Sequence, residues 1–426
     1  MSIIERKSIK ELMQSEITPA IGCTEPVAVA LCVAKATEIL GCQPERIDVF
    51  LSANVLKNAM GVGIPGTGMT GLPIAIALGA LVGKSEYGLE ALRDVTPADV
   101  ETGKRYIAER RIKIDLKENI ADKLYIEAQC LAEDQTAVVV IRGSHTRFSF
   151  IEKNGDVLLD EAVQDSSDKG TDVQLTFRKV FEYATETPVE ELRFILDAAK
   201  MNREAAKKAR QQNYGHNVGK SLIGERGRSL FGDNPHSRML SATAVACDAR
   251  MDGALIPVMS NSGSGNQGVA ATLPVITYAE EWGCSETDLI RALILSNLSV
   301  IYIKQHLGRL SALCGCVVAA SGSSCGITYL MGGDYNRITF AIKNMIANIT
   351  GMICDGAKPS CALKIASGTS TAILSALMAM ENEVVTSQEG IVDDDVDKTI
   401  LNLALIGKQG MAETDKIVLD VMTHKE

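Results

Sequence analysis

The sequence predicts an α+β protein in which an antiparallel-sheet lobe is followed by a larger all-helical lobe. Three observations carry this. Between residues 45 and 165, short runs alternate apolar and polar side chains, the period-2 pattern of half-buried strands. Beyond residue 174 the alternation stops, and long apolar stretches separated by glycine and serine loops run onward. Aromatics make up 4% of a chain that is 46% hydrophobic, so the core is built from small and aliphatic side chains, which suits closely packed helices. With 426 residues the chain is long enough for two or three compact units. The expected division is 1–44 as N-terminal helices packing on the helical lobe, 45–165 as the α+β lobe and 175–426 as the helical lobe. The polar segment DEAVQDSSDKGTDVQ is the expected linker.

Taken in order, residues 3–16 form an amphipathic helix. In ITPAIGCTEPVAVALCVAKATEIL, Gly22 to Thr24 form a break, and Pro26 suits the first turn of a helix running from Val27 to about Leu40. Cys23 then lies at a helix N-terminus, where unpaired N–H groups and the macrodipole favour a thiolate. Residues 47–55, IDVFLSANV, read as a strand. The following glycine-rich loop holds Gly61-Val62-Gly63-Ile64-Pro65-Gly66, the spacing of a dinucleotide-binding turn. Pro65 interrupts it, and no second strand ends in an acid at the required distance, Glu86 being in a polar turn. The glycines are therefore read as letting backbone approach a substrate or another segment. Leu89 to Ala108 is helical, restarted by the capping signal Thr96-Pro97-Ala98-Asp99. RRIKIDL, KLYIEAQCLA, TAVVVIRGS, TRFSFIEKNG and VLLD then form an antiparallel meander, with a turn at Asn154-Gly155.

In the helical part, two helices flank Thr187-Pro188, and polar loops carry the chemistry. His216 and Lys220 in NYGHNVGKSL, and His236 and Arg238 in FGDNPHSRM, place cationic groups near glycines. They suit a carboxylate ligand or, equally, capping of helix ends. The run Asn261-Ser262-Gly263-Ser264-Gly265-Asn266-Gln267-Gly268 opens a helix and supplies hydroxyls, amides and unhindered N–H groups, an anion cradle. Lys304 and His306 lie on a helix leading into Cys314, on a solvated face or near a site.

Cysteine is the most informative residue. Eleven are too sparse for a disulfide scaffold. Cys32, Cys42, Cys130, Cys247, Cys284 and Cys325 are expected to be reduced, small apolar side chains. Cys314-Gly315-Cys316 lies in an apolar segment, and Cys354 and Cys361 have six residues between them on a turn marked by Gly356 and Pro359. The best three thiols, Cys314, Cys354 and Cys361, come without a CxxC pair and with only His306 nearby, so a four-ligand zinc site is not indicated. Three ligands and an open position suit a 4Fe–4S cluster.

The segments ITPAIGCTEPVAVA, NVLKNAMGVGIPGTGMTGLP, SNSGSGNQGVAATLPV, LCGCVVAASGSSCGI and CDGAKPSCALKIASG are spread from residue 17 to 368. Together they resemble the L-cysteine desulfidase family, related to the α subunit of iron–sulfur L-serine dehydratases. The resemblance implies a 4Fe–4S cluster held by Cys314, Cys354 and Cys361, with Cys316 as the competitor for the first position. It implies Cys23, in the GCTEP motif, as the base. The implied reaction is an α,β-elimination without pyridoxal phosphate that takes L-cysteine to pyruvate, ammonia and sulfide, with L-serine dehydration as the alternative. Asn261, Ser262, Ser264, Asn266 and Gln267, with Asn54, Lys57 and Asn58 as weaker candidates, are then expected to hold the substrate carboxylate and ammonium.

A net charge of −10 and the absence of a basic run argue against nucleic acid or an anionic membrane as partner. The N-terminus lacks the apolar core of a signal peptide. The longest apolar stretches, such as Gly71 to Gly83, are read as short of the roughly 20 residues a membrane span needs. The expectation is a cytoplasmic protein, homodimeric through its apolar, glycine-rich helices. Two other readings compete. One is a non-catalytic binder of small amino acids. The other is a pyridoxal phosphate enzyme, for which Lys220, Lys304, Lys358 and Lys364 are available, none in a recognisable Schiff-base setting.

Overall fold

A computed structural model describes residues 1–118, 120, 122–161, 173–308 and 311–425. The expected linker at 160–174 therefore lies mostly outside the described residues. Helix α1 (Ile3–Glu16) starts on a Ser2–Glu5 capping box. A two-residue strand β1 (Pro19–Ala20) precedes α2 (Thr24–Leu40), whose N-cap is Cys23. Strand β2 (Arg46–Leu51) leads into α3 (Ala53–Ala59), the small hairpin β3 (Gly63–Ile64) and β4 (Met69–Thr70), then α4 (Leu72–Leu81) and α5 (Pro97–Ala108). Thr96 and Asp99 form the capping box of α5. Strands β5 (Ile112–Leu116), β6 (Tyr125–Ala132), β7 (Gln135–Arg142), β8 (Phe148–Lys153) and β9 (Asp156–Asp160) follow. Asn154 and Gly155 both have positive φ, as the tight β8–β9 hairpin requires.

The helical part comprises α6 (Phe177–Glu186), α7 (Val189–Leu192), α8 (Ile195–Ala209), α9 (Val218–Ile223), α10 (Glu225–Phe231) and α11 (Pro235–Met251), then the short strand β10 (Val258–Met259). After it come α12 (Gly265–Trp282), α13 (Glu286–Leu307), α14 (Gly315–Leu330), α15 (Tyr335–Ile349), α16 (Cys361–Met380), α17 (Val396–Leu405) and α18 (Ala412–Thr423). A single π-helical turn, Ile406–Gly410, joins the last two.

The six-stranded sheet has the order β5-β2-β6-β7-β8-β9. It is antiparallel except at one edge, where β5 runs parallel to β2, Ile47 opposite Ile112. This departs from a purely antiparallel meander. The connection from β2 to β5 contains α3, α4 and α5, and a helical crossover returns the chain in the same direction. Val49, Ala128, Val139 and Ile151 sit side by side across four strands on the buried face. Helix α2 covers that face, so Val29, Val33 and Ala36 share a core with the sheet. Residues 1–44 are thus split rather than packed together on the helical lobe: α1 buries Ile9, Leu12 and Met13 in the helical core, while α2 belongs to the sheet.

Helix α14 is the axis of the helical lobe, contacting α12, α13, α15 and α16. Its sequence explains this. A Cβ added at Gly322 would lie 2.5 Å from the Ser296 carbonyl oxygen, and one at Gly326 2.8 Å from that of Ala292. Alanine at either position would overpack the α13 contact, at a cost of about 1–3 kcal/mol. Helix α16 corrects the sequence reading: it is long and apolar enough, by length and composition, to cross a membrane. Lys364 and the Thr369–Thr371 run obscured it. In the fold one side packs on α11, α14 and α15, and Leu363, Leu374 and Leu377 stand exposed on the other. Cys42 is exposed after the left-handed Gly41 cap and is no core residue, whereas Cys32, Cys130, Cys247 and Cys325 are buried.

Candidate functional site

Three short backbone contacts assemble the site from distant segments. β1 pairs with β10, Pro19 opposite Met259, and the Ser262 N–H donates to the Glu16 carbonyl at 3.0 Å. This carries the start of α2 to the start of α12. An isolated antiparallel bridge, Leu313 with Ile353, ties the start of α14 to the segment before α16. The result is a cavity of about 450 Å³ between the sheet and the helices, a size that suits a small ligand. Cys23, Glu25, Asn58, Ser262, Ser264, Asn266, Gln267, Arg250, Cys314, Cys316, Cys354 and Cys361 all line it.

Cys23 caps α2 without a side-chain capping bond. Its Sγ donates instead to Glu25 Oε2 at 2.9 Å. Burial, then the negative charge of Glu25, push this thiol well above its ordinary range, with Arg250 opposing. Burial and the Glu25 charge both act against the thiolate that the helix start alone would favour. Glu25 is the ionised member. Burial works against its charge, but His145 and the Cys23 and Thr24 donors outweigh burial and lower its pKa. Asn58 Nδ2 holds the other oxygen at 3.0 Å.

The opposite wall is the 261–268 loop. Ser262 and Gly263 both have positive φ, turning successive N–H groups one way before α12 begins. Ser264 is the N-cap and accepts from the Gln267 N–H. Asn261 is used inside the fold: its amide donates to the backbone and side chain of Asn297 at 3.1 and 3.0 Å. Arg250, from α11, reaches over this loop, donating to Asn266 Oδ1 at 3.1 Å and to the Gly22 carbonyl at 2.9 Å.

The third wall carries the thiols. Cys314 is the N-cap of α14, Cys361 is the first residue of α16, and the Cys354 N–H donates to the Ala312 carbonyl at 2.7 Å. Burial raises the pKa of Cys314, and the neighbouring Cys354 raises it further. Cys361 is likewise raised, by burial first and by Cys354 among its neighbours. Thiols this close resist joint ionisation unless positive charge is brought to them. Lys364 stands beside them, paired with Asp355, and Lys358 pairs with the same carboxylate. Burial opposes the Asp355 charge, but hydrogen bonds from Lys358 and Lys364 overcome it and bring Asp355 down to about 2. Among the described residues no three His, Cys, Asp or Glu side chains are grouped to hold a metal ion. A tetrahedral single-ion site would hold its sulfurs within about 4 Å of one another. The candidate donors on this wall are all thiols, the donor type that iron–sulfur groups take.

Other expected residues fall elsewhere. Lys57 is buried in an ion pair with Asp415 of α18, and neither it nor Asn54 is among the cavity-lining residues. Arg238 is committed to Asp233 and Glu281, Lys220 to Asn213, and His236 to Ser370. His306 packs edge-on against Tyr302, while Lys304 lines the cavity. In the 61–66 loop the close approach is at Gly63, where a Cβ would lie 2.2 Å from the Asp252 carbonyl carbon, while one on Gly66 would meet the Leu255 side chain at 3.1 Å. Sequence reasoning missed Glu25, His145, Arg250 and the cavity lysines 123 and 408, and weighed Lys364 only as a Schiff-base lysine. Glu25 was within reach, standing two residues after Cys23 on the first turn of α2.

A family model for the serine dehydratase alpha chain matches residues 86–420. Relatives match over nearly the whole length. A UPF0597 protein of Bacteroides thetaiotaomicron is 63% identical over 422 residues, 99% of this chain and 98% of the relative. A UPF0597 protein of Bacteroides fragilis is 62% identical over 426 residues, the full length of both. One from Porphyromonas gingivalis is 52% identical over 433 residues, again covering both in full. The family match takes in Arg250, the 261–268 loop and the thiol wall, while the Cys23–Asn58 wall lies ahead of it.

Proposed function

Because this chain belongs to the serine dehydratase alpha chain family, we propose that it is a lyase that eliminates the β-substituent of a small L-α-amino acid, L-cysteine first. The observation that supports this most is the convergence on one small cavity of a thiol–carboxylate pair, a helix-start anion cradle and a wall of thiols. A soft thiol leaving group suits a thiolate-bound metal, which favours L-cysteine. The family description favours L-serine as the alternative.

Cys314, Cys354 and Cys361 would hold a 4Fe–4S cluster, and Cys314 suits the first position because the Cys316 thiol is engaged with the Lys364 carbonyl at 3.0 Å. Such a cluster, when bound, supplies Lewis acidity toward the departing β-group. The remaining steps belong to side chains. The α-proton passes to Cys23 Sγ as the thiol proton passes to Glu25 Oε2, so the carboxylate is the final acceptor and no free thiolate is needed. Asn58 keeps the carboxylate in place on its far side. The Cα–H electrons form the Cα=Cβ bond as the β-substituent leaves with its bonding pair. The aminoacrylate then hydrolyses to pyruvate and ammonia, with sulfide as the third product from cysteine.

The test is anaerobic purification and cluster reconstitution, followed by parallel assays of L-cysteine and L-serine for pyruvate. Pyruvate from both, with the larger kcat/KM for L-cysteine and stoichiometric sulfide, is expected. A brown, folded protein that forms pyruvate from neither amino acid would refute the proposal.

A further inference from the structure

Arg250 is a buried cation without a counter-charge. Only 4% of it is exposed, yet among the described residues no carboxylate forms an ion pair with it. A guanidinium carries five N–H donors. At hydrogen-bond distance, Nη1 meets Asn266 Oδ1 and the Met251 sulfur and Nη2 the Gly22 carbonyl, all neutral, and Nε is buried with no partner. Leaving a buried charge uncompensated is strongly destabilising. A folded protein keeps such a group where a ligand completes it. Its placement is enforced on both sides. The Gly22 contact sets the guanidinium directly before Cys23. A Cβ at Gly265 would lie 2.2 Å from Nε, so α12 has to begin on glycine for the arginine to reach its N-terminus.

Gln267 shows the complementary deficit. It is 4% exposed, lines the same cavity, and its Oε1 is buried with no donor. Its carboxamide rests on Gly315, where a Cβ would come within 3.1 Å of Cδ. Gly315 separates Cys314 from Cys316, so the acceptor is held at the thiol wall while the cation is held at Cys23.

We propose that Arg250 and Gln267 form a clamp for an α-amino carboxylate. Arg250 and the first N–H groups of α12 receive the carboxylate, and Gln267 accepts a hydrogen bond from the ammonium. Between the two ends lies Cα, beside Cys23, with the β-substituent toward the thiols. This rests on the elimination reading for the identity of the ligand. It goes further by assigning the two ends of the substrate and by ranking an α-amino acid above a plain carboxylic acid.

The test uses the full-length, anaerobically purified protein and calorimetric titration with L-alanine, which has no leaving group, and with propionate, which lacks the ammonium. Wild type should bind L-alanine more tightly than propionate. Arg250→Met should weaken both by about 100-fold, the loss of charge-assisted hydrogen bonds, and Arg250→Lys by about 10-fold. Gln267→Leu should weaken L-alanine by about 10-fold and propionate by less than about twofold. If Arg250→Met lacks a melting transition, Arg250→Lys and Gln267→Leu carry the test. The clamp is overturned if wild type binds neither probe, if the arginine variants keep wild-type affinity, or if Gln267→Leu weakens both probes equally. L-Alanine binding without any pyruvate from L-cysteine or L-serine would leave the clamp standing and remove the elimination reading.

Discussion

Cys23 and Cys314 occupy the same local position and meet opposite fates. Each is the N-cap of a helix, each has extended backbone angles, and neither makes a side-chain capping bond. Helix-start electrostatics alone would make both thiols acidic. Burial pushes both up instead. What separates them is the next neighbour. Cys23 faces the Glu25 carboxylate and gives it a hydrogen bond, the contact through which the proposed reaction passes a proton. Cys314 faces Cys354, Cys361 and the Lys364 ammonium, the neighbours among which the proposed cluster would bind. The helix start supplies a position, and the neighbours supply the chemistry.

The sharpest way to break this comparison is to exchange the two kinds of thiol for serine. In anaerobic protein, Cys361→Ser on the thiol wall should abolish both the broad visible absorbance and pyruvate formation. Cys23→Ser should keep the absorbance and lower kcat by about 10²–10⁴-fold, the span of general acid–base catalysis. If Cys23→Ser loses its colour, or Cys361→Ser keeps it, the two walls do not divide the labour as described.

A smaller effect tests the proton relay itself. Glu25 raises the Cys23 pKa, second only to burial. Glu25→Gln removes that charge, so the thiol pKa should fall and iodoacetamide should alkylate Cys23 faster at a fixed pH near 8. Turnover should move the other way, falling by about 10²-fold because the final proton acceptor is gone. Parallel changes in alkylation and turnover would mean that Cys23 acts as a free thiolate and that Glu25 merely shapes the helix start.

These residues also show how far the chain could be read in advance. Alternation and capping signals gave the sheet strands and the α5 capping box, because those depend on neighbours in sequence. The spacing of Cys314, Cys354 and Cys361 was visible for the same reason, being set by two helix starts and one turn. The parallel pairing of β5 with β2 was not, since it follows from how a crossover packs. Lys57 looked like a ligand-binding cation because its partner, Asp415, is 358 residues away. Arg250 was hidden for the opposite reason. Helix α11 is buried on nearly every side, so its apolar residues mark no face, and the arginine's missing counter-charge shows only once Gly22 and Asn266 are beside it.

The mildest prediction takes the comparison from thiols to carboxylates. Glu25 is 8% exposed and Asp248 1% exposed, so burial penalises both charges. Glu25 has three side-chain donors and stays below its ordinary range. Asp248 accepts the Gly219 N–H at 3.0 Å on one oxygen, and its other oxygen is buried without a partner. Burial wins over that bond and the nearby His216, and Asp248 rises to about 6. The folded protein then binds a proton at Asp248 that the unfolded chain, with a carboxyl near 4, releases. Its contribution to stability is fully present below about pH 4 and is lost as pH rises through 6, on the order of 2–3 kcal/mol in all. Asp248→Asn removes this dependence while keeping an acceptor for Gly219. Between pH 5 and pH 8 the melting temperature should fall less in Asp248→Asn than in wild type, with the variant the more stable at pH 8. Equal pH dependence in the two proteins would show that a single backbone donor is enough to hold a buried carboxylate ionised, and that the three donors around Glu25 serve the reaction more than the charge.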